Sequence, residues 1–241
     1  MKVRLDQLLV EKGLAPSRER ARALILAGQV TVAGETIAKA GTQVRSDADV
    51  ALVAADHPYV GRGGVKLAHA LDAFGIAVVG RDALDIGAST GGFTDVLLQR
   101  GAARVVALDV GHGQIDWSLR NDPRVVVIER FNARHLTAAD LPGPVDLVAI
   151  DVSFISLRHI LPAVPPLLRP GADVVALVKP QFEAGRAEVR KGIVRDPAIH
   201  ARVLEEVGAA AREVGLSPVS SVPSPITGAK GNQEFLLHLR P

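Results

Sequence analysis

From residue 61 onward the chain repeats one pattern: a short apolar run, then a stretch with helical spacing, then another apolar run. The segments 83–86, 105–109, 125–129, 145–151 and 174–179 are strand-like, and 92–100, 157–168 and 198–214 are helical in periodicity. Near-continuous Val, Leu, Ile and Ala is what a strand covered on both faces requires, and parallel neighbours can be joined only through a crossover, usually a helix. The pattern therefore predicts an α/β fold, a parallel sheet with helices on both faces. The segment 232–240 alternates less cleanly and is expected to be a last strand. Sheets of this kind bind ligands outside the carboxyl ends of their strands.

The first 60 residues follow another rule. Leu5, Leu8 and Leu9 have helical spacing that stops at Lys12-Gly13, and Ser17 is a good cap for a second helix over 18–27, closed by Gly28. Val30-Thr31-Val32 reads as a short strand, Gly34 as a turn, and a further strand is expected near 42–44. Residues 46–60 read as a final strand and linker in which Pro58 rules out continuous helix. The chain of 241 residues thus divides into a small α+β unit, 1–58, and a large α/β unit, 59–241. Net charge is +2, but residues 1–45 hold eight Lys and Arg against four Asp and Glu, an asymmetry that points to nucleic-acid contact. The chain has no cysteine, which excludes disulfides and thiolate chemistry. With no signal-peptide pattern and no long charge-free apolar run, it is expected to be soluble and cytoplasmic.

The run Arg4-Leu5-Asp6, Ser17-Arg18, Ala21, Ile25, Gly28, Val30-Thr31-Val32 and Gly34 resembles an S4 domain, a small RNA-binding module. That resemblance implies phosphate-backbone contact through the second helix, with Arg18 and Arg22 four apart on one face, Arg4 nearby, and Arg20 on the far side. In the large unit, Asp85-Ile86-Gly87-Ala88-Ser89-Thr90-Gly91-Gly92-Phe93 leaves a strand and opens a helix. Its glycines do not fit the dinucleotide spacing, and no lysine follows to make a P-loop. With Asp109 ending the next strand, the arrangement resembles the S-adenosylmethionine site of Rossmann-like methyltransferases. The resemblance implies that Asp85, Gly87, Ser89, Gly91, Gly92 and Phe93 meet the methionine part, Asp109 the ribose hydroxyls and Asn132 the adenine.

Lys66, Asp151, Lys179 and Glu234 are charges set among apolar runs, two of them at the ends of consecutive strands. They resemble the K-D-K-E tetrad of RNA ribose 2′-O-methyltransferases. Together with Val60-Gly61-Arg62-Gly63-Gly64-Val65-Lys66-Leu67, Asp151-Val152-Ser153-Phe154, Lys179-Pro180-Gln181-Phe182 and Gly192-Ile193-Val194-Arg195-Asp196-Pro197, they are similar to the TlyA family. That family joins an S4 domain to an FtsJ-like methyltransferase domain, and its members are often labelled hemolysins. A ribose hydroxyl is a weak nucleophile, so a positioned base helps, and the resemblance gives that role to Lys179. An ammonium is ordinarily protonated at neutral pH. Nearby positive charge and desolvation favour the free amine, and nearby carboxylates oppose it. The donor methyl is already activated, so no metal is expected, and His112, His135 and His159 lack metal-ligand spacing.

Arg62 and the basic stretch Arg186, Arg190, Lys191 and Arg195 are expected to border the RNA path. The sequence stops at Pro241, right after the expected last strand, and in this the chain resembles the family's shorter form, which implies a cytidine of large-subunit ribosomal RNA, free or within a subunit, as the target. Two other functional classes fit the sequence less well. A non-catalytic assembly factor does not explain the four tetrad residues. A membrane-lytic protein, as the hemolysin label suggests, has no apolar span or cationic amphipathic helix to rest on.

Overall fold

The computed structural model describes residues 2–15, 17–26, 28–52, 57–228 and 231–241. Ala27, expected to end the second helix, and 53–56 of the linker lie outside them. The N-terminal unit runs β1 (Lys2–Arg4), α1 (Leu5–Glu11), α2 (Arg18–Leu26), β2 (Val30–Val32), β3 (Glu35–Thr36), β4 (Gln43–Arg45) and β5 (Val50–Leu52). Strand β1 pairs with β4, and β2 lies between β3 and β5, all antiparallel. Ser17 Oγ accepts from the Arg20 amide at 3.2 Å, the cap expected from sequence. Leu5, Leu8 and Leu9 of α1 pack on Leu24 and Ile25 of α2 and on Val30, Val44 and Val50 to form a separate small core.

The large unit is built on β6 (Asp82–Ile86), β7 (Arg104–Leu108), β8 (Val125–Ile128), β9 (Val145–Ile150), β10 (Leu168–Val178), β11 (Ser217–Pro223) and β12 (Phe235–Arg240). The sheet order is β11-β12-β10-β9-β6-β7-β8. The five strands β6 to β10 are parallel, and β12 returns antiparallel between β10 and β11. Its helices are α3 (Gly63–Phe74), α4 (Gly92–Gln99), α5 (Trp117–Arg120), α6 (Pro180–Glu183) and α7 (Pro197–Glu213). The chain runs from β6 outward to β8 and then returns to lay β9 on the other side of β6. The crevice between β6 and β9 is therefore a topological switch point, where α/β sheets hold ligands.

Successive strand residues face opposite layers. Leu84, Val106, Val148, Val174 and Ala176 meet Val203, Val207 and Ala211 of α7 on one face. Ala83, Val105, Leu147 and Val175 meet Leu67 and Leu71 of α3 and Val96 and Leu97 of α4 on the other.

The structure corrects the sequence reading at 157–168, at the start of β10 and at Glu234, and adds α3, α5, β3 and β11, which that reading lacks. The segment 157–168 is not one helix but three 3₁₀ turns, Leu157–His159, Leu161–Ala163 and Pro165–Leu167. Pro162, Pro165 and Pro166 each lack an amide donor and crowd the preceding turn, yet Leu157, Leu161 and Val164 still fill the core. Strand β10 begins at Leu168, six residues earlier than read, with an irregularity before Asp173 that accommodates Gly171 at φ 77°. Glu234 sits one residue ahead of β12 instead of within a strand.

Leu84 is fully buried in the central strand. Leu84→Ala is expected to destabilise the large unit by about 2–5 kcal/mol, from lost transfer energy plus the residual cavity. Urea unfolding followed by circular dichroism reads this as a lower midpoint with little change of slope, and an unchanged midpoint would contradict the layer assignment.

Candidate active site

The switch-point crevice opens into a cavity of about 420 Å³ at the carboxyl ends of the parallel strands. Its floor is a close backbone crossing. Gly87, at φ 89°, leaves β6 so near the end of β9 that an added Cβ would lie 2.3 Å from the Asp151 carbonyl oxygen. No side chain fits there, and the conformation itself favours glycine. One wall is the start of α3 packed on the start of α4, where a Cβ on Gly61 would lie 2.7 Å from Thr90 Oγ1. The linker is tied down beside them: the Val60 amide donates to Asp95 Oδ2 at 2.9 Å, and Gln99 Nε2 donates to the Pro58 carbonyl at 3.1 Å.

Two lysines line this cavity, both largely out of water, each with a carboxylate. Lys66, on the second turn of α3, donates from Nζ to Glu234 Oε2 at 2.5 Å. Lys179, one residue past β10, places Nζ 2.5 Å from Asp151 Oδ1 and donates to Ser153 Oγ at 2.8 Å. The four tetrad residues from three distant parts of the chain thus border one space as two ion pairs. Arg62 borders it too, at the N-terminal end of α3, and makes no ion pair among the described residues.

The other expected residues divide. Gly87, Ser89, Gly92 and Phe93 line the cavity. Gly91 is left-handed, φ 96°, and supports the start of α4 without lining it. Asp109 lies beyond the cavity at the end of β7, its Oδ2 accepting from the Ser89 amide at 2.8 Å and its Oδ1 from the Gly111 amide at 2.6 Å. Asn132 is farther along that edge, its side chain accepting from the Arg134 amide as a cap. Asp85 does not reach the cavity. It is 0% exposed, and its Oδ2 accepts from both the amide and the hydroxyl of Thr94, at 2.9 and 2.7 Å. Its Oδ1 has no hydrogen-bond partner among the described residues. Arg186, Arg190, Lys191 and Arg195 are exposed, and the Arg190–Ile193 bridge puts Lys191 and Gly192 in a tight turn with positive φ at both.

Sequence reasoning missed Ser153, Phe154, Gln181, Phe182 and Asn232, all of which line the cavity. Phe154 is 90% exposed and held at φ 64°, unusual for a bulky residue, with its ring centroid 5.1 Å from that of Phe182. Buried Asn232 bonds to the Val194 amide and the Gly192 carbonyl, joining the basic turn to the approach to β12. The signal for Ser153, Phe154, Gln181 and Phe182 was adjacency to the tetrad motifs; none existed for Asn232.

The signature of FtsJ-like methyltransferases matches residues 59–241, and that of the S4 domain matches residues 3–50. The 16S/23S rRNA (cytidine-2′-O)-methyltransferase TlyA of Mycobacterium tuberculosis is 51% identical over 241 residues, 99% of this chain and 90% of that one. The chain belongs to the TlyA family of FtsJ-like methyltransferases. Hemolysin A of Brachyspira hyodysenteriae, 43% identical over 98% of this chain and 99% of that protein, is another relative. A solved protein of Streptococcus thermophilus named as a hemolysin superposes with a TM-score of 0.77 at 47% identity, covering 99% of this chain and 88% of that one. An S-adenosylmethionine dependent methyltransferase of Mesorhizobium loti shares the fold alone, with a TM-score of 0.55 at 18% identity over 72% of this chain and 96% of that one.

A TlyA-family site implies S-adenosylmethionine, and the residues present fit it. The cofactor is cationic at sulfur and at its amino group, and the cavity sets the Asp151 carboxylate beside a cradle that a Cβ at residue 87 would fill, with the Asp109 carboxylate beyond it. The carboxyl of Asp85 is pushed up to about 7, chiefly by burial, against the Thr94 hydrogen bond, and further by the negative charges of Asp151 and Asp109. Among the described residues no helix is long and apolar enough to cross a membrane, and no cluster of His, Cys, Asp and Glu could hold a metal ion.

The raised value has a definite sign. A folded-state pKa above the unfolded one, ~3.9, gives stability that is fully present at low pH and is lost as pH rises through about 7. Cofactor-free protein is therefore expected to lose thermal stability between about pH 4 and 7, and Asp85→Asn to flatten that decline. Equal declines in both proteins would assign the pH dependence to another group.

Proposed function

We propose that this protein transfers a methyl group from S-adenosylmethionine to a ribose 2′-hydroxyl of ribosomal RNA. The observation that carries the reading is the pair of largely buried ion pairs, Lys66–Glu234 and Lys179–Asp151, facing one cavity beside the glycine loop. A cavity built only to bind a neutral ligand would gain little from two desolvated ammonium groups, each of which is costly without its partner.

The glycine cradle and Asp109 would hold the cofactor, which would supply an electrophilic methyl group. The chain supplies the rest. Lys179 first gives up its ammonium proton to solvent; the free amine then takes up the hydroxyl proton as the oxygen bonds to the methyl group, while Asp151 and Ser153 fix the amine's direction. Lys66, anchored by Glu234, adds positive charge and aligns the nucleotide. Phe154 offers a stacking face at the mouth for an unpaired base, the usual way a single-stranded nucleotide is held. Arg62, Arg186, Arg190, Lys191 and Arg195 bring guanidinium and ammonium groups to the RNA backbone. The target is a cytidine of large-subunit ribosomal RNA. Mapping 2′-O-methyl marks in cells with and without this protein tests that choice, and a lost mark on small-subunit RNA would widen the target to that of the Mycobacterium tuberculosis relative.

Lys179→Ala is expected to lower the single-turnover methylation rate by ~10²-fold or more with cofactor affinity nearly unchanged. Arg at 179 is expected not to rescue, because a guanidinium stays protonated; substantial activity with Arg would reassign residue 179 from base to electrostatic anchor. Phe154→Ala is expected to raise the KM for RNA by roughly tenfold, the size of one lost stacking contact, with cofactor binding intact. An unchanged KM would remove Phe154 from the RNA site.

A further inference from the structure

Arg4, Arg18 and Arg22 come from different turns of the N-terminal unit, yet all three converge on one carboxylate. Asp6, in the first turn of α1, is 0% exposed. Its Oδ1 accepts from Arg4 Nε at 2.9 Å; its Oδ2 accepts from Arg4 Nη2 at 2.8 Å, Arg18 Nη2 at 3.3 Å and Arg22 Nε at 3.2 Å. The three arginine side chains remain 40%, 48% and 48% exposed. The backbone that carries the carboxylate is fixed, since the amides of Leu5 and Asp6 donate to the carbonyls of Thr42 and Ala40. Gly41 leaves room for the Arg4 fork, because a Cβ there would lie 3.2 Å from Nη1. Burial alone would push the Asp6 carboxyl up, but hydrogen bonds from Arg4, Arg22 and Arg18 and the charge of Arg4 hold it well below the usual carboxylate range.

Three guanidinium groups on flexible stems repel one another and would splay apart. One buried anion holds them together with a net charge of plus two, and leaves Nη1 of each guanidinium unbonded among the described residues. Guanidinium groups held in this way match phosphate oxygens, and side chains ordered in advance lose less freedom on binding.

We propose that Asp6 is a positioning residue for RNA: it gathers Arg4, Arg18 and Arg22 into a single clamp for a backbone phosphodiester. The inference rests on the reading of the protein as an RNA methyltransferase and assigns a role to a residue that itself carries the wrong charge to touch RNA.

Charge counting and positioning predict opposite signs. Removing a negative charge strengthens RNA binding if only net charge matters. In the full-length protein, with an unmodified large-subunit ribosomal RNA transcript as probe, Asp6→Asn is expected to raise the KM for RNA tenfold or more. The kcat and the cofactor affinity are expected to stay within twofold, and the log–log salt slope of binding to fall by about one or two. Asp6→Glu is expected to recover part of the loss, as the conservative replacement. Unchanged or tighter binding by Asp6→Asn would overturn the proposal. If Asp6→Asn proves not to fold, Arg4→Ala, Arg22→Ala and the double variant decide: a shared clamp gives a double loss well below the product of the single losses, and losses that multiply within twofold overturn it. Wild-type protein that binds the transcript but does not methylate it would sink the enzymatic reading while leaving this binding test in force.

Discussion

Two ammonium groups are withdrawn from water at one edge of a single sheet, and each is tolerated there because another part of the chain delivers a carboxylate to it. The desolvation cost of such charges is several kcal/mol per ion, offset only when the partner's geometry is good. Lys179 and Asp151 obtain this geometry from neighbouring parallel strands, whose register pairs Ala176 with Ile150 just before the two side chains emerge. Lys66 and Glu234 are 168 positions apart and meet because α3 packs across the start of β12. The arrangement of the four residues is therefore complete only when the antiparallel return of β12 is in place.

The same edge must also admit a ligand. The strand order supplies a crevice between β6 and β9, and glycine supplies its depth. At Gly87 the obstacle to a larger residue is backbone, the Asp151 carbonyl, which cannot move without disturbing the tetrad carboxylate that follows it. The glycine cradle and the Asp151 carboxylate are thus two sides of one backbone crossing.

Charge in the N-terminal unit is arranged more than it is accumulated. Arg4, Arg18 and Arg22 surround Asp6, whereas Arg20, on the far side of α2, forms an ion pair with Asp116, the cap of α5. The Asp116 amide in turn donates to the Thr90 carbonyl in the glycine loop, and Leu26 at the other end of α2 borders the cavity that the two lysines line. One helix therefore presents arginines outward and touches the methyltransferase unit along its opposite side.

By itself the sequence determined the layers and the chemistry. Continuous apolar runs separated by helical stretches specify a parallel α/β sheet, because burial on both faces leaves no other pattern. Asp151 and Lys179 could be found because charge at the end of such a run is conspicuous, and the glycine loop because its spacing excluded the phosphate-binding alternatives. The start of the second helix, capped by Ser17, was legible because that interaction lies within three residues. Tertiary structure alone decided the pairings. Which lysine joins which carboxylate, why Asp85 lies sealed beneath the loop instead of facing the ligand, and how Asp6 comes to hold three arginines all depend on contacts between residues far apart in the chain. Side-chain identity limits what can pair, but register and packing fix the distances, and for charges removed from water distance decides which pair forms.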